Sequence, residues 1–213
     1  MQIKVNLQIF LFIIIFALTH QIEIYACIML FAFIHELGHM MAGLFLKLKP
    51  KSLSFMPFGI SVTFETYGYR KLIEKKKILI AIGGPLINLI ISIITAFLHI
   101  NTEIKEIIIY SNILIAVFNL IPIYPLDGGR ILRGIIRLKH KEIESDKIIN
   151  KISNILIVFL TAISSIGILY FKNLAILFIL IYLWIIVVNE NKKYNLKIRL
   201  YNTIQKNNKC IDI

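Results

Sequence analysis

Two histidines and a glutamate, His35, Glu36 and His39, stand together inside the apolar stretch FAFIHELGHMMAGLF, residues 31–45. Positions four apart on an α-helix lie nearly above one another, so His35 and His39 point the same way and Glu36 sits on the flank of that face. Two imidazoles at this spacing can hold one Zn²⁺. The glutamate beside them can then take a proton from a water whose pKa the metal lowers to about 7. Gly38, between them, leaves space for a neighbouring backbone. The bland alternative is a pair of buried histidines satisfied by hydrogen bonds. It meets an energetic objection, because one ionisable group at the centre of a bilayer costs about 2.5–3.5 kcal/mol on insertion scales. Three such groups so close together need a common compensation, and a metal in a hydrated cavity supplies it.

A catalytic zinc takes three protein ligands and keeps its fourth position open. His20, His99 and His140 fall at the ends of apolar runs or in a basic connector, and Cys27 precedes His35 by more than two turns. Asp127 is the strong candidate. It is the only acidic residue between Glu106 and Glu142, and it sits in NLIPIYPLDGGR, residues 119–130, where two prolines and two glycines interrupt any helix. The glycines after it permit close backbone approach. The alternative is a turn aspartate capping a short helix that begins near Gly128. The histidine pair has no other evident buried partner, which favours the ligand reading.

The elements that must position these residues follow from hydropathy. The chain has 213 residues, 58% of them hydrophobic, with two cysteines and a net charge of +12, and its mean hydropathy is +0.79. Apolar runs lie at 5–19, 22–46, 78–100, 107–121, 152–171 and 174–188, and a bilayer crossing takes roughly 20 residues. The connectors at 47–51, 70–77 (RKLIEKKK) and 137–151 (RLKHKEIESDKIINK) are basic, whereas HQIE at 20–23, NTEIKE at 101–106 and KN at 172–173 are not. Strict alternation predicts about six transmembrane helices with both termini in the cytoplasm. It also explains the net charge without nucleic acid. The first run lacks a clear cleavage site and reads as a retained span. Cys27 and Cys210 suggest neither a disulfide framework nor a zinc ribbon.

Residues 52–66, SLSFMPFGISVTFET, alternate partly and turn at Pro57 and Gly59, which predicts a short β-hairpin or looped strand at the cytoplasmic face. The expected fold class is therefore an all-α polytopic membrane protein with one short β-hairpin or membrane-associated loop. Residues 1–190 form the transmembrane domain and 191–213 a short basic cytoplasmic tail.

The combination of His35-Glu36-Leu37-Gly38-His39, Gly84-Pro85 with Asn88, and NLIPIYPLDGG resembles the site-2 proteases, which are intramembrane zinc metalloproteases. The resemblance covers roughly residues 25–135, and MPFGISVTFE at 56–65 is similar to the sporulation-protease branch of that family. It implies that His35, His39 and Asp127 bind zinc and that Glu36 is the general base. It also implies that Asn119 is a site residue that holds substrate or stabilises the oxyanion; the alternative is a C-terminal helix cap for the fourth span. The implied substrate is a membrane-associated protein, cleaved in or near the bilayer during regulated intramembrane proteolysis in sporulation or sigma-factor activation. The implied setting is a bacterial inner or forespore membrane, with membrane inhibitor or regulatory proteins as partners and the site open to the cytoplasm. The branch carries a nucleotide-sensing domain after its last span, for which the residues after Glu190 are too few. The rival readings are a membrane metal transporter, which would scatter its ligands over several spans, and a non-catalytic substrate-binding relative, which would not need Glu36.

Overall fold

The computed structural model describes residues 2–5, 14, 17, 22–56, 59–64, 70–171 and 174–211. The chain divides into two compact units, Met1–Ile121 and Pro122–Ile213.

The first unit holds strand β1 (Gln2–Val5), helix α1 (Ile22–Phe45), strands β2 (Pro50–Met56) and β3 (Gly59–Phe64), and helices α2 (Arg70–Phe97) and α3 (Thr102–Leu120). α2 is amphipathic in the inverted sense. Ala81, Asn88, Ser92 and Thr95 are buried, while Leu79, Ile82, Leu86, Leu89, Ile93 and Phe97 face outward. The buried positions recur every three or four residues, so they form one helical stripe. A helix that hides its polar stripe and exposes its isoleucines suits lipid, where polar side chains must find partners inside the protein. Small residues let this stripe approach α1 closely. A Cβ built on Gly83 would lie 2.7 Å from the carbonyl oxygen of Gly38, so the two backbones meet directly, as small residues permit between membrane helices.

α1 ends in a hydrogen-bonded stop. Lys47 takes a left-handed backbone with φ of 56°, and the N–H of Leu48 donates to Gly43 O at 3.0 Å. This six-to-one bond is the Schellman pattern. The chain then enters a three-stranded sheet in the order β1-β2-β3. β2 and β3 pair antiparallel, with Leu53 opposite Val62 and an irregularity between Pro50 and Ser52. β1 pairs parallel with β2 from Gln2 opposite Ser52 to Val5 opposite Phe55. Nothing in the sequence foretold β1, because four residues are too few to show alternation. The expected turn residue Pro57 lies outside the described residues. The ring of Phe64, at the end of β3, rests in the space that a Cβ on Gly43 would occupy.

The second unit holds α4 (Asp127–Lys139), α5 (Glu142–Phe171) and α6 (Leu174–Ile211). α5 packs against both of the others, around Ile149, Ile157, Leu180, Leu183 and Val187. α6 continues unbroken across position 190, so the basic tail prolongs the last apolar run as one helix.

Among the described residues, three helices are long and apolar enough to cross a membrane, at Ala26–Phe45, Ile73–Phe97 and Glu142–Gly167. The hydropathy pattern predicts about six. The run at 5–19 lies largely outside the described residues. Those at 107–121 and 174–188 are helical in α3 and α6 without reaching that length of uncharged helix. α3 opens with Glu103, Lys105 and Glu106, and α6 turns polar at Asn189.

Candidate metal centre

His35 and His39 are both buried, at 3% and 2% exposure. Their rings lie edge to face with centroids 4.8 Å apart. Each ring is oriented through Nδ1 by α2. Nδ1 of His39 is 2.7 Å from the carbonyl oxygen of Ile80. The N–H of Gly84 also points at that nitrogen, from 3.1 Å. These two contacts need opposite tautomers, and the shorter one decides, because a carbonyl oxygen can only accept. His39 therefore carries its proton on Nδ1. Nδ1 of His35 lies 3.1 Å from Oδ1 of Asn88 in a buried contact, and the same logic places its proton there. Ile80, Gly84 and Asn88 are spaced four apart, so one face of α2 meets the one face of α1 that carries both histidines.

With both protons on Nδ1, each Nε2 is the acceptor nitrogen of its ring, and the two Nε2 atoms converge. A Cβ built on Gly84 would run into Nε2 of His35 and Nε2 of His39 alike. The glycine thus leaves room for both imidazole edges at one point. A metal-binding histidine typically donates its other N–H to a carbonyl or carboxamide oxygen, which fixes the tautomer and raises the basicity of the ligand. The donor set, its orientation and the cradle over Gly84 all fit a divalent metal of the zinc type. Glu36 stands beside the pair on α1, half-buried. Sequence reasoning quoted Gly84 and Asn88 only as marks of resemblance. Their work here, clearance for the pair and orientation of His35, was signalled by a glycine and an asparagine one turn apart in an otherwise apolar run.

In the second unit, Asp127 is 3% exposed and is the first residue of α4, whose cap is Leu126. The aspartate is therefore not in the cap position that the alternative reading gave it. The backbone of Ile123 and Tyr124 folds so closely over the first turn that a Cβ on Gly129 would collide with it. Arg130 approaches Oδ1 of Asp127 only at 3.5 Å, a long contact for a charge pair. Asn119, in the first unit, donates Nδ2 to Ile115 O at 2.9 Å and so serves its own helix end. His99 and His140 are exposed, Cys27 is half-buried, and His20 lies outside the described residues.

Over 136 residues, 61% of the chain, it is 34% identical to the stage IV sporulation protein FB of Bacillus subtilis, of which the match covers 46%. Over 123 residues it is 32% identical to a zinc metalloprotease of Methanocaldococcus jannaschii, covering 54% of this chain and 34% of that protein. The chain thus spans less than half the length of these relatives. Its fold is that of the solved site-2 protease from Methanocaldococcus jannaschii, with a TM-score of 0.67 at 23% identity over 88% of this chain and 89% of that one. The profile of peptidase family M50 matches residues 23–104 and 101–163, which include His35, Glu36 and His39 as well as Asp127. The chain belongs to peptidase family M50.

Proposed function

We propose that this chain is an intramembrane zinc metalloendopeptidase that cleaves a membrane-associated protein in or near the bilayer. The observation that carries the reading is the convergence of two imidazole Nε2 atoms over Gly84, on a helix long and apolar enough to cross a membrane. Asp127 is assigned as the third ligand. Its burial, its place ahead of two glycines and the reach of the family profile over both segments support that assignment.

Zinc, when bound, acidifies water and polarises a carbonyl. The protein does the rest. His35 and His39 would hold the metal, their rings oriented through Nδ1 by Asn88 and Ile80. Glu36 takes the proton of the attacking water and returns it to the leaving amine. Asn119 turns its amide from Ile115 O towards the substrate and stabilises the developing oxyanion. The scissile segment must leave its helix first, because a helical carbonyl is bonded and shielded. Once extended it can add to a sheet edge. β2 is flanked by β1 and β3, so the edge nearest the site is that of β3, whose Phe64 rests on the same face of α1 as His39, one turn on. The basic connectors support a cytoplasmic setting for this end of the site. The name of the Bacillus relative supports a substrate handled in sporulation.

Co-expression with candidate membrane-tethered precursors tests this reading, with metal content as a second readout. Glu36→Gln is nearly isosteric and leaves both histidines in place, so zinc should remain bound. Glutamine cannot accept the proton, so cleavage should fall by about 10²–10⁴-fold. Cleavage by Glu36→Gln at the wild-type rate would overturn the mechanism.

A further inference from the structure

Asp146 lies on α5, 5% exposed, away from the histidine pair in sequence and in the other compact unit. Its Oδ1 accepts from Nε of Arg133 at 2.9 Å and from Nη2 of Arg137 at 2.7 Å. Its Oδ2 accepts from Nζ of Lys197 on α6 at 2.7 Å. Glu142 closes the cluster, 3.0 Å from Arg137 and 2.6 Å from Lys197. Three cations therefore gather on two acids, and Asp146 is the only one of the two that is buried.

Arg133 and Arg137 are one turn apart on α4, and both converge on a single oxygen. That geometry fixes how α4 is rotated about its own axis, because turning the helix would pull one guanidinium away. The segment before α4 is fastened to the same stripe of α5. The N–H of Tyr124 donates to Oγ of Ser153 at 3.0 Å, and Ser153 lies two turns along from Asp146 on the same face. Arg133 also stacks over the Tyr124 ring, 4.5 Å from its centroid. A cavity of about 280 Å³ borders the cluster, lined in part by Tyr124, Arg133, Asn150, Tyr194 and Lys197. The ionic contacts tie α4 to α5 and α6 beside this cavity.

We infer that Asp146 is a positioning residue for the metal centre: it sets the orientation of α4 and thereby that of Asp127, the first residue of that helix. The inference rests on the assignment of Asp127 as third ligand made above. Arg133 and Arg137 stand six and ten residues beyond Asp127, about 9 and 15 Å along the helix axis. A release at that end swings the carboxylate at the other. Without Asp146, Arg133 loses its carboxylate partner, Arg137 and Lys197 keep only the exposed Glu142, and the hold on the rotation of α4 weakens.

The test uses the full chain in detergent with Co²⁺ in place of zinc, whose visible absorption reports ligand number and geometry. Three variants are compared with the wild type: Asp127→Asn, Asp146→Asn and Asp146→Glu. Asp146→Asn should shift the Co²⁺ spectrum and weaken metal binding about 10-fold or more, the scale of lost support behind a ligand, with helix content unchanged. Asp146→Glu, which keeps the charge, should recover most of the wild-type spectrum. Where Asp146→Asn does not fold, Arg137→Lys decides by the same spectral shift, since it keeps the charge and loses the fork. If Asp127→Asn alters the spectrum while Asp146→Asn and Arg137→Lys leave spectrum and affinity at wild type, Asp146 is merely structural and the inference falls. If Asp127→Asn itself leaves the spectrum unchanged, the third-ligand assignment fails first, and the inference with it.

Discussion

Gly84 faces His35 and His39 at the point where their Nε2 atoms converge, and a single added carbon there would strike both. Two physical arguments therefore disagree about Gly84→Ala. Helix propensity favours alanine by about 1 kcal/mol, and α2 should be no less helical. The site argument says that the methyl fills the metal's place. The second should dominate the metal readout, because the colliding atoms are ring nitrogens held from behind by Asn88 and Ile80. Zinc content of the purified variant should fall about tenfold or more, with the circular dichroism of the wild type retained. Full zinc occupancy in Gly84→Ala would place the metal elsewhere.

Lys47 offers a test of local backbone energetics that leaves the chemistry alone. It ends α1 in the left-handed region with φ of 56°, where a side chain costs about 1 kcal/mol that glycine avoids. Lys47→Gly should stabilise the protein by roughly that amount, read as a higher midpoint for unfolding in detergent. Zinc content should not change. A lower midpoint would mean that the lysine makes a contact worth more than the strain.

The pairing of His35 with His39 was legible in the sequence because helical periodicity alone puts positions four apart on one face. The membrane setting was legible because hydropathy is a sum over many residues. What supports the site was harder to read. Asn88 orients His35 across a sequence gap of 53 residues, and no local pattern encodes a contact at that range. The segment 137–151 read as a basic cytoplasmic connector. It folds instead as the end of α4 and the start of α5, with Arg137 and Asp146 paired and buried. Charge counting treats such residues as a solvated loop because it cannot see them neutralise one another. β1 was missed because its evidence is a partner strand some fifty residues away, not its own four side chains.

Gly43 and Phe64 bear on the substrate rather than the metal. Gly43 follows His39 by one turn on α1, and a Cβ there would enter the ring of Phe64 at the end of β3. Gly43→Ala should push the ring, and the strand end with it, away from the helix. His39 is held separately through Ile80 O at 2.7 Å, so zinc content should stay at the wild-type level. A substrate strand docked on β3 would be misplaced, and a displacement on the order of 1 Å can cost about a hundredfold in rate. Phe64→Leu is smaller and should relieve the collision, so Gly43→Ala with Phe64→Leu should cleave better than Gly43→Ala alone. The non-additivity is the diagnostic, since two independent defects would multiply rather than compensate. Cleavage and zinc content measured on the two single variants and the double variant check it. If Gly43→Ala cleaves at the wild-type rate, or loses zinc in step with activity, β3 is not the edge on which the substrate lies.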